Sequence, residues 1–97
     1  MNFDIVSTED FLKRVETFPE KTKNIIKSKI ELVKFNPFRY KRIHSKHFSH
    51  VYRIVLNIEN EESRLIYAIL GNKIVFVCIL DRKNDYKDLE NYLGKLK

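Results

Sequence analysis

The stretch SRLIYAILGNKIVFVCIL, residues 63–80, contains two apolar segments joined by Gly71-Asn72. A glycine followed by asparagine between runs of β-branched and aromatic residues is typical of a two-residue hairpin turn of the primed type. Such a turn also sets the register, because Leu70 must then pair with Lys73 and every further pair follows from that one. The stretch therefore predicts two antiparallel strands, 64–70 and 73–80, at the centre of the fold.

The predicted register assigns each side chain of this hairpin to one face of the sheet, because successive side chains in a strand point to opposite faces. One face is bulky and apolar, and it carries Leu65, Tyr67, Ile69, Ile74, Phe76, Cys78 and Leu80. The other face has smaller apolar side chains and two cations, and it carries Arg64, Ile66, Ala68, Lys73, Val75, Val77 and Ile79. We expect helices to cover the bulky face and the second face to stay open, with exposed Ile66, Val75 and Val77.

A third strand is predicted over residues 50–58, before an acidic connection at 59–63. Its apolar face carries Tyr52, Ile54, Leu56 and Ile58. Arg53 must then lie on the opposite face, which the register shares with Arg64. Two arginines are thus expected on the open face, where neither contributes to the core.

The remaining chain predicts one short strand and three helices. Ser7 followed by Asp10 is a capping signature, and Asn36-Pro37 is a helix terminator. Pro19 suits the first turn of the helix that Asn36-Pro37 ends. Apolar residues recur at helical spacing between these signals and again in the tail. The predicted elements are a strand over 2–6, helices over 8–17 and 19–35, a basic loop over 38–49, and a short helix within 86–97.

Length and composition exclude several classes of protein. The chain has 97 residues, enough for one small core and too few for two, so we expect a single domain over residues 1–97. It has no apolar run of about 18 residues, which a membrane span needs, and no signal-peptide pattern. Its one cysteine, Cys78, cannot form an internal disulfide. We therefore expect a cytoplasmic protein without a membrane partner.

The net charge of +6 is concentrated in one segment. Residues 20–53 hold ten lysines and arginines against two glutamates, a net charge of +8, and also all three histidines. This favours a surface that binds a polyanion, although a solvated face that aids solubility is the alternative. Lys23, Lys27 and Lys34 project within about 40° of one another on the second helix. They could follow a phosphate backbone or form an ordinary solvated stripe.

His44, His47 and His50 are spaced three residues apart, which raises the question of a metal site. In a loop that leads into a strand this spacing does not converge on one point, and no carboxylate or cysteine lies nearby in sequence. We therefore expect no metal and no other cofactor. Phosphate contact or proton transfer by one histidine is the better alternative.

Several segments resemble the RelE/ParE toxin superfamily. FNPFR is similar to the end of that family's second helix, and three other segments are similar to its core strands. The segments are FNPFR (35–39), VYRIVL (51–56), SRLIYAI (63–69) and IVFVCILDRKNDY (74–86). The resemblance covers nearly the whole chain. It implies the α+β class and a RelE-like fold, an antiparallel sheet in the order β-α-α-β-β-β. Two N-terminal helices would lie on one face of this sheet, followed by a short C-terminal helix.

The resemblance also implies a function. Many members enter the ribosome and cut mRNA without a metal, by attack of the ribose 2′-oxygen on the adjacent phosphorus. Such a reaction needs a base, an acid and cations that stabilise the phosphoryl oxygens. The implied function is the toxin of a type II toxin–antitoxin system, with the cognate antitoxin, the ribosome and mRNA as partners. The alternatives are a ParE-like DNA gyrase inhibitor and a non-catalytic RNA- or protein-binding relative.

Position by position, the resemblance implies four catalytic residues. Arg64 matches the family arginine at the start of the middle strand, and its planar fork could hold two phosphoryl oxygens. Arg53 matches a strand position that is often basic. Arg82 and Tyr86 match a cation and a tyrosine after the last strand. Tyr86 could stack on a base or move a proton, or it could belong to the apolar face of the tail helix.

Two positions of the chain differ from the residues that active relatives carry. Val55 lies where some active relatives carry a lysine, and Asp81 lies where many carry a histidine or glycine. These departures favour the gyrase and non-catalytic alternatives, whereas the cations and tyrosine after the last strand favour the nuclease. The predicted RNA-binding residues are Lys23, Lys27, Lys34, Arg42, Lys46 and Lys83.

Overall fold

The structure is a computed structural model of the chain, and it describes residues 3–81 and 88–96. Its elements are β1 (Asp4–Ser7), α1 (Glu9–Glu16), α2 (Glu20–Phe35), β2 (Lys41–Ile43), β3 (Val51–Ile58), β4 (Glu61–Leu70), β5 (Lys73–Asp81) and α3 (Leu89–Gly94). The strands form one sheet in the order β1-β5-β4-β3-β2. This confirms the α+β class, the two N-terminal helices and the short C-terminal helix. No helix in the described ranges is long and apolar enough to cross a membrane.

The sheet differs from the predicted one in two ways. β1 runs parallel to β5, so the sheet is mostly rather than wholly antiparallel. β2 pairs with the start of β3 and lies within the predicted basic loop. The loop prediction is wrong for this segment, because a three-residue edge strand with exposed Lys41 and Arg42 shows no alternation of apolar and polar side chains.

The turn between β3 and β4 and the turn between β4 and β5 each contain two residues. Gly71 has a φ of 61°, as a primed turn requires, and Leu70 pairs with Lys73 as predicted. Glu59 and Asn60 form the turn before β4, with φ values of 53° and 67°. β4 therefore begins at Glu61, earlier than predicted, and the connection between β3 and β4 is shorter than predicted. A glutamate at positive φ is uncommon, which is why the sequence carried no hairpin signal there.

A bulge in β5 changes the register of the central hairpin. The pairs follow the predicted register as far as Tyr67 and Phe76, after which Ile66 pairs with Cys78. Val77 is therefore the additional residue of β5. A bulge of this kind moves every later side chain of its strand to the opposite face.

The bulge corrects the predicted orientation of three side chains. Cys78 and Leu80 lie on the face opposite α1 and α2, and Ile79 points into the core beneath those helices. The prediction that Cys78 and Leu80 share the bulky face is therefore wrong, and Arg64 pairs with Leu80 rather than with Ile79. Burial raises the pKa of the Cys78 thiol to about 12.

Apolar clusters cover both faces of the sheet. On the helical side, Phe11 of α1 and Ile26 of α2 pack against the sheet as expected. On the other side, Leu89 and Leu93 of α3 pack on a second cluster. The prediction of three exposed side chains on that face is wrong because α3 covers them: they are Ile66 at 0%, Val75 at 5% and Val77 at 1% exposure.

Thr8, rather than the predicted Ser7, caps α1, and it also forms hydrogen bonds that connect this helix to the bulge. Its hydroxyl accepts a hydrogen bond from the Phe11 N–H at 3.0 Å and donates one to the Val77 carbonyl at 2.6 Å. Its own N–H donates to the Phe76 carbonyl at 3.0 Å. A bulged residue is left out of the regular ladder, and here the threonine hydroxyl supplies its carbonyl with a donor.

We expect Thr8→Ala to lower the free energy of unfolding by about 1–3 kcal/mol, because it removes the helix cap and leaves the buried Val77 carbonyl without this donor. Thr8→Ser keeps the hydroxyl and should cost much less. Urea denaturation monitored by circular dichroism measures both variants. Equal stability of the alanine and serine variants would contradict the assigned role of the hydroxyl.

Candidate nucleic-acid interface

Arg53 and Arg64 lie on the same face of the sheet, opposite α1 and α2. Arg64 pairs with Val55, which is two residues after Arg53 in β3, and side chains two residues apart in a strand share a face. Arg53 itself pairs with Ile66, a member of the cluster beneath α3. The predicted placement of the two arginines is confirmed, and we call this surface the arginine face.

Arg64 is held closely by its own strand. Its side chain is 13% exposed, and its Nη2 lies 3.2 Å from Oε2 of Glu62. Glu62 precedes Arg64 by two residues and so lies on the same face. This ion pair orients the guanidinium and offsets part of its charge. A phosphate that binds Arg64 must therefore compete with the Glu62 carboxylate.

A groove of about 550 Å³ lies beside Arg53, with β2 on one side and the first turn of α3 on the other. This volume is typical of a small-ligand site. Three cations against one carboxylate give the groove a positive field that suits phosphate. Its lining consists of Lys41, Arg42, Ile43, His44, Arg53, Leu89 and Glu90.

A second hollow of about 470 Å³ shares Arg42, Ile43 and His44 with the groove and continues it along the β2–β3 loop. Arg42 is anchored there, because its Nε donates to the Ser49 carbonyl at 2.7 Å. The half-buried ring of Phe48 forms part of the wall. Cations next to an aromatic ring are suited to a nucleic acid with unstacked bases.

The three histidines point to different places. His44 lines the groove, His47 Nε2 lies 3.3 Å from Glu90 Oε2, and His50 Nδ1 lies 3.0 Å from the Ser49 hydroxyl. Within residues 3–81 and 88–96, no group of histidine, cysteine and carboxylate side chains could hold a metal ion. His44 is thus the histidine that could contact a bound phosphate.

The predicted lysine stripe lies on α2, with the sheet between it and the arginine face. Lys23 and Lys34 each lie near a glutamate of the same helix, at 3.8 Å from Glu20 and 3.7 Å from Glu31. Such exposed pairs are weak and leave the lysines available to other anions. The fold therefore does not bring the stripe to the groove, and a role in RNA binding would be exerted from the opposite face.

Four other residues were predicted to belong to the site. Lys46 is exposed in the β2–β3 loop. Arg82, Lys83 and Tyr86 lie outside the described residues, and their roles stay predictions. β5 ends at Asp81, whose partner Ser63 precedes Arg64 in β4.

Lys41 and Glu90 line the groove although neither was predicted to be a site residue. Because residues 38–49 were predicted to be a loop, the strand that orients Lys41 was not expected. Glu90 reaches the groove only because α3 folds back over the sheet. The helical spacing of Leu89 and Leu93 was the single sequence signal for that contact.

The whole chain is similar in structure to the E. coli toxin RelE, in a form with two arginines replaced by alanine and in the free state. The TM-score is 0.71, and the match covers 99% of this chain and 98% of that chain. The chain has a RelE-like fold. Sequence identity to this RelE structure is 17%, which shows the fold alone. No protein-family model matches the sequence, and no curated protein matches it significantly.

Because the groove and the lysine stripe lie on opposite faces, they should respond to different ligands. We expect Lys41→Ala with Arg53→Ala to reduce the salt dependence of binding to a four-nucleotide RNA, by about 0.7 in the slope of log K for each lost phosphate contact. Replacing the stripe (Lys23, Lys27 and Lys34) with alanine should reduce the slope for ribosome binding and leave that for the short RNA unchanged. Fluorescence anisotropy against salt concentration measures both.

Each set of substitutions controls for the other, since both remove positive charge. Equal effects of the two sets on the short RNA would contradict two separate surfaces. If the salt dependence of ribosome binding is unchanged after the stripe is replaced, the three lysines are ordinary solvated residues without a role in binding.

Proposed function

We propose that the chain is the toxin of a type II toxin–antitoxin system, a single domain over residues 1–97 that acts in the cytoplasm. It would cut mRNA on the ribosome without a metal and would be neutralised by a cognate antitoxin. The observation that carries the proposal is the pair Arg53 and Arg64 on one face of a RelE-like sheet, beside a cationic groove.

The chemistry follows from what such side chains can do to a phosphodiester. Attack by the ribose 2′-oxygen gathers negative charge on the phosphoryl oxygens, and the leaving 5′-oxygen needs a proton. Arg64 would exchange Glu62 for the scissile phosphate, and its fork would stabilise the transition state. Arg53 would hold the phosphate in place. Arg82 would add positive charge, and Tyr86 would stack on a base or move a proton.

Val55 supports a second candidate function, inhibition of DNA gyrase in the manner of ParE-like proteins. This side chain is 46% exposed on the arginine face, paired with Arg64 and two residues from Arg53. An exposed apolar group between two arginines suits a protein target better than a phosphate. A non-catalytic RNA- or protein-binding relative would have the same feature.

We expect Arg64→Ala and Arg82→Ala each to slow ribosome-dependent mRNA cleavage by about 10²–10³-fold, because a donor aimed at developing charge acts mainly in the transition state. Ribosome affinity should fall far less. Single-turnover cleavage and filter binding measure the two quantities. Arg14→Ala, which removes an exposed arginine of α1, is the matched control and should leave both unchanged. A fall in affinity as large as the fall in rate would contradict the assigned roles.

Tyr86→Phe distinguishes the roles of the tyrosine, because it keeps the ring and removes only the hydroxyl. If the hydroxyl moves a proton, we expect cleavage to fall by about 10²-fold or more in both Tyr86→Phe and Tyr86→Ala. Single-turnover rates measure this. Near-normal cleavage in Tyr86→Phe with loss in Tyr86→Ala would end the acid–base role and leave stacking or packing.

The test of the proposed function is cleavage by the wild-type protein on active ribosomes. The upstream product should end in a 2′,3′-cyclic phosphate and the downstream product should begin with a 5′-hydroxyl. Both should form with EDTA present, at free magnesium levels that keep the ribosome intact. DNA supercoiling by gyrase is assayed with the same preparation. Uncut mRNA with inhibited gyrase would replace the nuclease with the second candidate, and inactivity in both assays would favour the non-catalytic relative.

A further inference from the structure

Glu62 combines a contact with Arg64 and access to solvent. Its Oε2 lies 3.2 Å from Nη2 of Arg64, and its side chain is 37% exposed, against 13% for the arginine. Glu62 pairs with the exposed Asn57 near the end of β3. The carboxylate is thus accessible to a substrate on the arginine face, whereas the guanidinium is largely enclosed.

The side chains adjacent to Arg64 on the arginine face include one group that can accept a proton. Across the sheet its neighbours are Val55 in β3 and Leu80 in β5, and along β4 they are Glu62 and Ile66. Three of these four described residues are apolar. A base for a substrate bound at Arg64 must therefore be Glu62 or come from a more distant position.

Asp81, Glu90 and His44 are other proton acceptors of the sheet and groove, and none adjoins the ion pair on this face. Asp81 ends β5, and the alternation of that strand directs its side chain to the helical side of the sheet. His44 and Glu90 line the groove beside Arg53, whose described lining includes neither member of the ion pair. In the described part of the chain, Glu62 is thus the proton acceptor that adjoins the arginine on this face.

The geometry of a ribonucleotide brings a base at this position to the proton that must be removed. Attack on phosphorus requires the 2′-oxygen at about 3–3.5 Å from it. A phosphate bound to Arg64 in place of Glu62 therefore has its reactive hydroxyl beside the displaced carboxylate. A general base must approach the proton donor to about 2.6–3.2 Å. Because the Glu62 side chain is partly exposed, rotation about its own bonds can bring the carboxylate to this distance.

We propose that Glu62 is the general base of the cleavage reaction. In the free protein its carboxylate holds Arg64. In the complex the scissile phosphate takes the guanidinium and leaves the carboxylate to accept the 2′ proton. The assignment rests on the proposed function, because it requires an RNA that is cleaved by its own 2′-oxygen.

In this step Glu62 takes the proton of the 2′-hydroxyl while the 2′-oxygen forms a bond to phosphorus. The bond from phosphorus to the 5′-oxygen breaks, and its electron pair stays on that oxygen, which takes a proton from Tyr86 or from water. The protonated carboxyl of Glu62 then releases its proton to water. The upstream product carries a 2′,3′-cyclic phosphate, and the downstream product begins with a 5′-hydroxyl.

Glu62→Gln keeps the size of the side chain and an oxygen that Arg64 can bond, but its amide is not a base. We expect it to slow single-turnover cleavage on the ribosome by about 10²–10³-fold. Binding to ribosomes that carry mRNA with a 2′-O-methyl group at the cleavage position should be unchanged or tighter, since the competing carboxylate is gone.

Glu61→Gln is the matched control, because it removes the same charge from the neighbouring position on the opposite face. It should leave both the rate and the affinity unchanged. A wild-type rate in Glu62→Gln, or a loss of affinity as large as the loss of rate, would overturn the proposal.

The pH dependence of cleavage separates a base from a residue that only orients Arg64. Without Glu62 as the base, hydroxide must take the 2′ proton, so the rate of Glu62→Gln should rise about tenfold per pH unit above neutral pH. The wild-type rate should rise less steeply, because the carboxylate takes the proton instead of hydroxide. Parallel pH profiles would show an orienting role and would overturn the proposal.

A modified substrate separates a base from an acid. Sulfur in place of the bridging 5′-oxygen gives a leaving group that needs no proton. With this substrate Glu62→Gln should remain about 10²–10³-fold slower than the wild type. Recovery to the wild-type rate would show that Glu62 protonates the leaving group, and it would overturn the proposal.

Urea denaturation of the wild type and of both glutamine variants checks the fold. All three should unfold at similar urea concentrations, because both glutamates are at least partly exposed. Glu62→Asp provides a second variant that keeps a carboxylate. It should keep the shallow pH dependence of the wild type, and a dependence as steep as that expected for Glu62→Gln would overturn the proposal.

These results distinguish the assignment of Glu62 from the proposed function. Cleavage by the wild type together with an unaffected Glu62→Gln variant would refute the base and support the nuclease. Uncut mRNA with the wild-type protein on active ribosomes would refute the nuclease, and the base with it.

Discussion

The hydrogen bond from the Thr8 hydroxyl to the Val77 carbonyl joins the start of α1 to the bulge in β5, and the arrangement of the sheet depends on these two features. One part is the start of α1, which the same hydroxyl caps through Phe11. The other is the bulge, which gives β5 one residue more than its partner strand needs. Because a bulge reverses the faces of all later side chains in its strand, the bulge decides what lies on each side of the sheet near Asp81.

The consequence is a sheet with a core on both sides. Ile79 turns toward the helical core, while Leu80 joins the cluster that α3 covers and pairs with Arg64. The arginine face is therefore an apolar floor bordered by guanidinium groups, and α3 forms one wall of its groove through Glu90. Low exposure and the Glu62 ion pair keep the Arg64 side chain in a defined direction. In the proposed reaction Arg64 would have to leave Glu62 before it could stabilise charge on a phosphate.

The fold was predictable wherever local chemistry decides it. Gly71 requires the primed turn, and the alternation of β3 places Arg53 opposite its apolar face. The bulge was not predictable, because the Thr8 hydroxyl that bonds the carbonyl of its additional residue, Val77, lies 69 residues away in the sequence. A positive φ at Glu59 and the short β2 also lack sequence signals. The groove depends on β2 and α3 together, so the sequence predicted its arginines but not its walls.

The Val77 bulge determines which side chains of β5 share the arginine face. Nuclear Overhauser effects between methyl groups, in protein labelled at isoleucine, leucine and valine, test this most directly. We expect contacts of the Leu80 methyl groups with the cluster containing Leu89, and of the Ile79 methyl groups with the core beneath α2, around Ile26. Contacts of Leu80 with Ile26, together with contacts of Ile79 with Leu89, would show an unbroken register and contradict the bulge.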